Sequence, residues 1–429
     1  MSEHIRRVLV VAYYFPPMGL SGVQRSSKFV KYLPEYGWHP TVLTVDGVGY
    51  YAQDPSLLEE LSSPAVRIVR TGGAGPGRYL ARGEAVRMPS ERTRKWLSRL
   101  SDALFIPDNK IGWRRPALRR ALALHAETPF DLIFCTAPPF TSFLIGRDLK
   151  ERINRPLVFD YRDSWCDYPF RFYASPAHRM GHRALERSAL RSSSHVVTTN
   201  RRVKESLLQR YPFLGYRDVD IIPQGYDPED FEGLPVPVPG KREERPMTIA
   251  YAGVFWEDRR PDQLLHALAG ILKERPGLRG RIRAVFLGTV REEHTRLMQR
   301  LGLGDVVEVT GYVPHRECIS RLRKADLLWL VVGDEFSSPG KLYEYIGAGR
   351  SILGSAPEGF VRQTVLEAGG KVVEPGSVPQ MRAALLEALA RYERGELPVP
   401  APGFRGRFDR RKLTGDLVRI FNGLFDPSA

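Results

Sequence analysis

Cysteine pairs and long apolar runs are the features that this 429-residue sequence lacks. Its three cysteines, Cys135, Cys166 and Cys318, are far apart, odd in number and match no zinc spacing, which predicts reduced thiols and a cytoplasmic location. No apolar run approaches the roughly 20 residues that a membrane-spanning helix needs. The N-terminal stretch MSEHIRRVLVVAYYF begins a strand almost at once, so no signal peptide is predicted.

Metal-binding patterns are missing as well. None of the nine histidines is spaced from a cysteine or a carboxylate as metal ligands are, so no metal is expected. No other cofactor is expected either. We interpret His195, at the start of an apolar run, as structural. His315, which follows Pro314, is interpreted as a surface or helix-start residue.

Acidic residues are outnumbered, because 49 Asp and Glu stand against 64 Lys and Arg, a formal net charge of +15. The excess is partly local, since residues 87–120 hold ten basic and three acidic residues. Such an excess favours anionic partners, namely phosphorylated ligands, a lipid surface or nucleic acid. Nucleic acid is the weakest of these predictions, because no recognisable binding module occurs.

Short apolar runs alternate with helical patterns through the first half of the chain. Runs rich in Val, Ile and Leu that are separated by amphipathic stretches predict parallel βα units. The runs are 7–15, 40–45, 131–138, 156–163, 195–200 and 219–225. The segment LPVPVPGKREERP (234–246) then interrupts the pattern, and we interpret it as a linker because its prolines exclude it from a sheet or a helix interior.

A second series of apolar runs follows the linker. It consists of 247–253, 283–289, 306–313, 327–332, 351–356 and 371–375, with helices predicted over 377–395 and 411–425. The fold class predicted is α/β, with two Rossmann-like parallel-sheet domains at 1–233 and 247–405. Ligands of such sheets bind beyond the carboxyl ends of the strands, so two facing halves are expected to enclose one cleft.

The stretch SSPGKLYEYIGAGRSIL (337–353) has the pattern of an anion site. Its Pro-Gly pair suits a tight turn and a helix start. The N–H groups of Lys341 and Leu342 are then expected to point outward with the positive end of the helix dipole, beside the Lys341 charge. Glu344, one turn further on, is suited to accept hydrogen bonds from sugar hydroxyls. The alternative is an ordinary capped helix with a solvated Lys and Glu.

Four longer stretches resemble the family 4 glycosyltransferases, which have the GT-B fold. They are YYFPPMGLSGVQRSSKFVKYLPEYGWHPTVLT (13–44), IIPQGYDPEDF (221–231), IAYAGVFWEDRRPDQLLHAL (249–268) and GYVPHRECISRLRKADLLWLVV (311–332). The last of these runs on through SSPGKLYEYIGAGRSIL, which resembles the family's E-x-x-A-x-G-x-P helix. The resemblance implies two such domains, with residues 406–429 returning to the first domain.

The resemblance also implies a nucleotide-sugar donor that is bound mainly by the second domain. Glu344 would hold the ribose, the backbone of Tyr312 and Val313 would meet the base, and Arg259 or Arg260 would pair with the diphosphate. The glycines from Gly19 to Gly22 would face the diphosphate or the sugar. The full set of donor-side candidates is Gly19, Gly22, Arg25, Gly253, Arg259, Arg260, Tyr312, Val313, Gly340, Lys341, Leu342 and Glu344. No metal is needed to bind the diphosphate in this fold.

The sequence departs from the family at three positions. Phe336 stands where the family has its first signature glutamate, and Glu335 is the candidate substitute. Val254 stands where an arginine is frequent. Arg162 or Asp163 replaces the family's histidine near the reacting centre, so Asp163, Arg162 and Glu335 are the catalytic candidates. Retaining transfer in this fold is thought to use no protein nucleophile and to rely on positioning and leaving-group stabilisation.

Three side chains of the first domain have two interpretations each. Asp163 with Trp165 suits sugar binding, whereas the alternative is a helix N-cap and a packing tryptophan. Arg25 is either a donor contact or a solvated surface charge.

The basic stretch from 95 to 125 also has two interpretations. It mixes arginines with Trp96, Leu97, Leu100, Leu104, Phe105 and Trp113. This pattern favours a surface helix on anionic lipid, and the alternative is a covered helical hairpin with a solvated basic face.

The sequence thus predicts a retaining glycosyltransferase. It would act on a nucleotide-sugar donor, more readily UDP-linked than GDP-linked, and on a hydroxyl acceptor in an envelope polysaccharide or a lipid-linked glycan. The predicted location is the cytoplasm, with peripheral contact at the inner face of the cytoplasmic membrane. The alternatives are a sugar-nucleotide epimerase, an inverting transferase, a non-catalytic nucleotide-sugar-binding protein and, least favoured, a DNA-modifying transferase.

Overall fold

The structure is a computed structural model, and it describes residues 5–19, 21–46, 53–72, 91–167, 171–235, 245–255 and 259–425. The side chains of Ser21, Glu91, Arg92, Arg94 and Lys95 are not described. The chain divides into two compact units. One comprises Met1–Gln224 with Arg410–Ala429, and the other comprises Gly225–Asp409. The division falls ahead of the predicted linker, most of which lies outside the described residues.

The first unit contains a seven-stranded sheet in the order β3-β2-β1-β4-β5-β6-β7, and all of its strand pairs are parallel. The strands are β1 (Arg6–Val11), β2 (Trp38–Val45), β3 (Arg67–Thr71), β4 (Leu132–Ala137), β5 (Leu157–Tyr161), β6 (His195–Thr198) and β7 (Val219–Ile221). In β1, Leu9 lies in one apolar cluster and Val8 and Val10 lie in another. Both faces of the sheet are therefore covered, which explains the unbroken apolar runs of the sequence.

The helices of the first unit fill the connections between its strands. They are α1 (Ser21–Tyr32), α2 (Ser56–Glu59), α3 (Glu91–Leu104), α4 (Arg114–Glu127), α5 (Thr141–Ile153), α6 (Pro176–Ser192) and α7 (Arg201–Arg210). Such βα crossovers are the connections that parallel strands require.

The second unit contains a six-stranded parallel sheet in the order β10-β9-β8-β11-β12-β13. Its strands are β8 (Met247–Ala252), β9 (Ile282–Leu287), β10 (Val307–Gly311), β11 (Leu327–Val331), β12 (Ser351–Ser355) and β13 (Lys371–Val373). Its helices are α8 (Asp262–Glu274), α9 (Glu292–Arg300), α10 (His315–Lys324), α11 (Gly340–Ala348), α12 (Phe360–Glu367), α13 (Val378–Arg394) and α14 (Pro402–Arg405). The two Rossmann-like parallel sheets confirm the predicted fold class.

The last helix, α15 (Arg410–Gly423), packs on the first unit. Leu417 and Phe421 are fully buried there, and the Phe421 ring meets that of Trp38 edge-on with centroids 5.2 Å apart. The side-chain oxygen of Asn422 accepts hydrogen bonds from Arg6 at 2.7 Å and from the Trp38 indole at 3.2 Å. The helix is thereby tied to the starts of β1 and β2.

The observed strands differ from the predicted ones in two ways. β3 was not predicted, because Arg67 and Arg70 interrupt its apolar residues and it lies at the edge of the sheet. The predicted strand 7–15 ends at Val11, because the residues that follow stay buried in a loop and hydrophobicity alone does not mark the end of the strand.

The basic stretch from 95 to 125 divides into two helices with different surroundings. α3 exposes four large apolar side chains, Trp96, Leu97, Leu100 and Leu104. The apolar face of α4, by contrast, packs against α5 and the core, with Ala117, Ala121 and Leu124 buried. Trp113 is also buried, and its indole N–H donates to the Thr71 hydroxyl at 2.9 Å. The prediction of a surface role is therefore wrong for Trp113.

None of the helices in the described ranges is long and apolar enough to cross a membrane.

Candidate functional site

The start of α11 presents backbone N–H donors. Pro339 precedes the helix in an extended conformation (φ −69°, ψ 131°), and α11 begins at Gly340. The first N–H groups of a helix have no acceptor within it, and they carry the positive end of its dipole. The Leu342 N–H, however, donates to the Pro339 carbonyl at 3.1 Å. The prediction of an outward-pointing Leu342 N–H is therefore wrong, and the donors at this end are those of Gly340 and Lys341.

Hydrogen bonds to other elements hold α11 in place. The Tyr345 hydroxyl accepts from the Ala252 N–H at 2.9 Å, which ties the helix to the end of β8. At the other end, the guanidinium groups of Arg323 and Arg405 donate to carbonyls of the last turn at 2.8 and 2.9 Å. Gly349 then ends the helix in the left-handed region (φ 63°), which a glycine adopts without strain. The N-terminus of α11 is thus fixed before any ligand arrives.

Lys341 lies over the ring of Tyr251. Its Nζ atom is 2.8 Å from the Tyr251 hydroxyl and 4.0 Å from the centre of the ring. The Tyr251 ring is stacked on Phe255, with the two centroids 4.2 Å apart. Within the described residues, no carboxylate lies within ion-pair distance of this ammonium. The groups in direct contact with its charge are therefore a hydroxyl and an aromatic face.

The surroundings of Lys341 disfavour its charged form. Burial, followed by the Arg259 guanidinium, lowers the pKa of Lys341 from its ordinary value of 10.5 to about 7, whereas the Glu344 carboxylate acts in the opposite direction. An anionic ligand would stabilise the protonated amine. Lys341 is therefore suited to a ligand that brings negative charge.

Two glycines allow close approach beside this amine. Gly253 adopts φ 109°, and a Cβ atom added there would lie 3.0 Å from Lys341 Nζ. Gly288 adopts φ 148°, and a Cβ atom there would lie 2.5 Å from the Gly253 carbonyl oxygen. Both conformations favour glycine. The loops that follow β8 and β9 thus run together next to Lys341.

Arg259 belongs to the same group of residues. Its guanidinium donates to the Ser337 hydroxyl at 3.0 Å and lies 3.9 Å from the Asp334 carboxylate. Asp334 also accepts from the N–H groups of Phe336 and Ser337 at 2.9 and 2.7 Å. These bonds shape the loop that leads from β11 to α11 and hold Arg259 against it.

Arg260 has different partners. Its guanidinium pairs with Asp262 at 3.1 Å and with Glu293 at 3.6 Å, and its side chain is 47% exposed. Of the two arginines considered for the diphosphate, Arg259 is the one whose charge reaches Lys341.

Glu344 contacts a histidine on a neighbouring helix. Its Oε1 atom is 3.3 Å from Nε2 of His315, the first residue of α10, and both side chains are partly buried. Tyr312 and Val313 lie in the segment that leads from β10 into α10. The Tyr312 side chain is exposed, and Val313 packs partly against the core. The structure thus brings the residues proposed for the base and for the ribose to adjacent positions.

Glu335 and Phe336 lie in the loop between β11 and α11. Glu335 is exposed, and its backbone lies close to Gly359, where an added Cβ atom would be 3.5 Å from the Glu335 Cα atom. Phe336 is partly buried. The two residues thus differ in exposure, with the carboxylate candidate on the outside.

In the first unit, Arg162 joins two loops to the start of a helix. Its guanidinium donates to the carbonyl oxygens of Ala137, Pro138 and Gly22. Gly22 lies in the first turn of α1, and Gly19 is buried in the preceding loop. Arg162 therefore fixes the loops that follow β4 and β5 against the start of α1.

Arg25 is buried in the core of the first unit. Its guanidinium donates to the Asp160 carboxylate at 2.9 to 3.2 Å and to the Pro223 carbonyl at 2.7 Å. Asp160 also accepts from the Thr136 hydroxyl at 2.8 Å. Because the Arg25 side chain is 1% exposed, the interpretation as a solvated surface charge is wrong, and the predicted donor contact finds no accessible guanidinium.

Asp163 and Trp165 have different roles. Trp165 is fully buried and stacked on Phe140 with centroids 4.7 Å apart, and its indole N–H donates to His182 at 3.1 Å. Asp163 is partly buried in the loop after β5, and no helix begins there, so the N-cap interpretation is wrong. Trp165 is a packing residue, whereas Asp163 remains available as a site candidate.

Metal ligands do not cluster within either unit. Among the described residues of each unit taken by itself, no three His, Cys, Asp or Glu side chains bring ligand atoms within reach of one ion. The charged groups around α11 are, by contrast, mostly cationic or hydrogen-bond donors, which suits an anion rather than a cation.

Sequence reasoning missed Tyr251, Asp334, Ser337 and the contact of His315. Tyr251 is the fifth residue of the run MTIAYAG and has the pattern of any strand residue. Asp334 and Ser337 flank the departure at Phe336, which drew attention to Glu335 instead. The proline before His315 was a signal for a helix start, but only the fold brings α10 beside α11.

Comparison with known proteins covers most of the chain. Residues 22–225 match the glycosyl transferase 4-like domain, and residues 237–397 match the glycosyl transferases group 1 domain. No curated protein sequence matches the chain.

Solved structures share the fold at low sequence identity. Sucrose-phosphate synthase from Thermosynechococcus elongatus is 17% identical with a TM-score of 0.68, covering 99% of this chain and 100% of its own. HepE from Anabaena, in complex with UDP-glucose, is 14% identical with a TM-score of 0.61, and 97% and 99% of the two chains are covered. WaaG, a glycosyltransferase involved in lipopolysaccharide biosynthesis, is 16% identical with a TM-score of 0.63, covering 97% of this chain and 100% of its own. The solved structures show the GT-B fold, and the two domain matches, which together span most of the chain, place it among the group 1 glycosyltransferases.

Proposed function

We propose that this glycosyltransferase moves a sugar, with retention, from a UDP-linked donor to a hydroxyl of an envelope polysaccharide or a lipid-linked glycan. The observation that carries the proposal is the arrangement at the start of α11. There the backbone N–H groups of Gly340 and Lys341, the Lys341 ammonium and the Glu344 carboxylate follow one another at the start of one helix.

The diphosphate is assigned to the N-terminus of α11. Helix N-termini bind phosphate through N–H groups and the positive end of the dipole. Lys341 adds a cation without a carboxylate partner among the described residues, and Arg259 adds a second cation nearby. The lack of a side chain at Gly253 allows its backbone to lie close to the amine, since an added Cβ atom would be 3.0 Å from Lys341 Nζ.

The nucleoside is assigned to the neighbouring α10 side of the unit. The Glu344 carboxylate accepts hydrogen bonds from ribose hydroxyls, and the backbone around Tyr312 and Val313 meets the base. The HepE structure contains UDP-glucose, and the resemblance to the family favours the same class of donor here.

Transfer needs no protein nucleophile in this proposal. The bond between the anomeric carbon and the diphosphate oxygen breaks as the acceptor hydroxyl oxygen bonds to that carbon on the same face. The acceptor's proton passes to the departing diphosphate. Lys341, Arg259 and the α11 amides stabilise the charge that develops on the leaving group. Gly19, Gly22, Arg162 and Asp163 are proposed to position the transferred sugar, with Arg162 acting through the loops it joins.

The acceptor side is proposed to meet an anionic membrane surface through α3. Its four exposed apolar side chains stand beside a local excess of basic residues, a combination typical of helices that lie on anionic lipid. The protein would then act from the cytoplasm at the inner face of the membrane.

A ligand screen followed by a transfer assay tests the proposal. Thermal shift with UDP, GDP, UDP-glucose and UDP-N-acetylglucosamine reports donor binding without an acceptor. Transfer of labelled sugar to a cell-envelope extract then reports activity. Interconversion of UDP-sugars without acceptor would indicate an epimerase, and binding without turnover would indicate a non-catalytic protein. Either result would refute the proposed transferase.

A further inference from the structure

We propose that His315 is a positioning residue that orients Glu344 and so determines how strongly the site discriminates ribose from deoxyribose. The proposal rests on the assignment of Glu344 to the ribose. It concerns a residue that the sequence pattern marked only as a helix start.

The contact between the two side chains is direct. His315 Nε2 and Glu344 Oε1 are 3.3 Å apart, and their side chains are 14% and 17% exposed. With its proton on Nε2, the imidazole donates to the carboxylate. A hydrogen bond to an ionised acceptor is stronger than one between neutral groups. The contact therefore restricts Glu344 to a small part of its rotamer range.

A second carboxylate lies on the other side of the imidazole. His315 Nδ1 is 3.9 Å from Oδ2 of Asp230, which lies in the short 3-10 turn Pro228–Phe231. Asp227 caps this turn by accepting from the Glu229 N–H at 3.1 Å, and Phe231 anchors it in the core. The ring is thus held between a fixed turn and α11. Both of its neighbouring carboxylates therefore belong to the protein.

A carboxylate that is oriented in advance binds a hydroxyl pair more tightly than a mobile one. A free glutamate side chain has rotamer entropy to lose when it binds. A site built to hydrogen-bond a hydroxyl also rejects the analogue that lacks it more strongly than an apolar site rejects an extra group. Fixing Glu344 should therefore raise the preference for ribonucleotides, whereas contacts to the diphosphate should be unaffected.

The test compares UDP with 2′-deoxy-UDP and 3′-deoxy-UDP on the full-length protein. Dissociation constants are measured by calorimetry for the wild type, His315→Phe, His315→Gln, Glu344→Ala and the double variant His315→Phe/Glu344→Ala. Arg316→Ala, at the exposed next position of α10, serves as the control. Because each variant's ratio of deoxy to ribo affinity is internal to that variant, a partly unfolded sample does not distort it.

We expect His315→Phe to reduce the wild-type preference for UDP by about tenfold, and His315→Gln, which retains an N–H donor, to restore most of it. In the Glu344→Ala background, His315→Phe should change nothing further, because the two residues act through one contact. Arg316→Ala should retain the wild-type ratio.

Two results would overturn the proposal separately. Equal losses of UDP and deoxy-UDP affinity in His315→Phe, or losses additive with Glu344→Ala, would make His315 a packing residue only. Unchanged UDP affinity in Glu344→Ala would instead remove the ribose assignment, and with it this role of His315.

Discussion

Two cations of this protein, the buried Arg25 and the partly buried Lys341, have opposite surroundings. Arg25 in the first unit has its guanidinium donating to the Asp160 carboxylate and to a carbonyl, with 1% of its side chain exposed. Lys341 in the second unit has a hydroxyl and a ring face, and no ion pair within the described residues. Both lie at the ligand-binding ends of Rossmann-like units in the sequence prediction, yet only Lys341 retains an uncompensated charge. The comparison teaches that the partners of a cation, and not its position in a motif, separate a structural charge from a binding one.

The largest expected effect is the loss of stability when the ion pair between Arg25 and Asp160 is broken. Asp160→Ala leaves the Arg25 charge buried without its partner, and such a loss costs about 3–5 kcal/mol. Urea denaturation should show this decrease in the free energy of unfolding. Lys341→Ala in parallel should not destabilise the protein, because it removes a desolvated charge. A loss below about 1 kcal/mol for Asp160→Ala would mean that the pair behaves as an exposed one.

The next largest expected effect is on ligand affinity, and it concerns Lys341 and not the Arg25–Asp160 pair. Lys341→Ala removes a charged hydrogen-bond donor worth roughly 1.5–3 kcal/mol, so UDP-glucose affinity should fall by about one to two orders of magnitude. Uridine, which has no phosphate, should bind the variant and the wild type alike. Arg260→Ala is the matched control, because Arg260 is already paired with Asp262 and Glu293. Equal losses for uridine and UDP-glucose would refute the diphosphate assignment.

The depressed pKa of Lys341 predicts a smaller, pH-dependent effect. Since this pKa is about 7 in the folded protein, the amine loses its proton as pH rises past neutrality, and UDP-glucose affinity should fall by up to about tenfold between pH 7 and pH 8. UDP-glucose is the suitable probe, because the terminal phosphate of UDP titrates near pH 6 itself. Lys341→Arg should abolish the decline. If the affinity of the wild type for UDP-glucose did not change between pH 7 and pH 8, this would contradict the loss of the Lys341 proton in that range.

Lys341 should also affect how the free energy of unfolding depends on pH, and the direction of this effect can be predicted. Its folded pKa of about 7 lies below the ordinary 10.5, so the unfolded chain binds more protons between these values. Lys341 therefore lowers the free energy of unfolding below pH 7, and this destabilisation decreases as pH rises from 7 to 10.5. The difference in unfolding free energy between the wild type and Lys341→Met should shrink over that range. A constant difference would indicate an ordinary pKa.

The smallest expected effect concerns the apolar face of α3, which is uncovered, whereas that of α4 is buried. Arg99→Ser should weaken binding to phosphatidylserine-containing vesicles by about fivefold, because a basic residue near such a surface contributes about 1 kcal/mol. Binding should also fall as salt rises. Arg201→Ser, on the exposed surface of α7, is the control. Equal binding to neutral vesicles, or none to either, would remove the membrane proposal.

The sequence predicted most of the fold because buried parallel strands have unbroken apolar runs. All strands except β3 were predicted, although most of the predicted carboxyl ends, unlike that of β2, extended too far. β3 was missed because Arg67 and Arg70 mask it. Trp113 was placed on the surface because neighbouring arginines dominate the local composition, whereas its partner Thr71 is distant in sequence.

The site was predictable where one helix carries it and not where the fold assembles it. Gly340, Lys341 and Glu344 follow each other in a single stretch, so their common location could be read from the sequence. Tyr251 and His315 reach the same place from other elements. Leu342 shows the limit of motif reasoning, because the turn at Pro339 uses its N–H.

A crystal structure of this protein with UDP tests the central claim most directly. The account predicts diphosphate oxygens within hydrogen-bond distance of the Gly340 and Lys341 N–H groups and of Lys341 Nζ, with the ribose hydroxyls on Glu344. UDP bound with its diphosphate away from the start of α11, or with Glu344 contacting only His315, would contradict it.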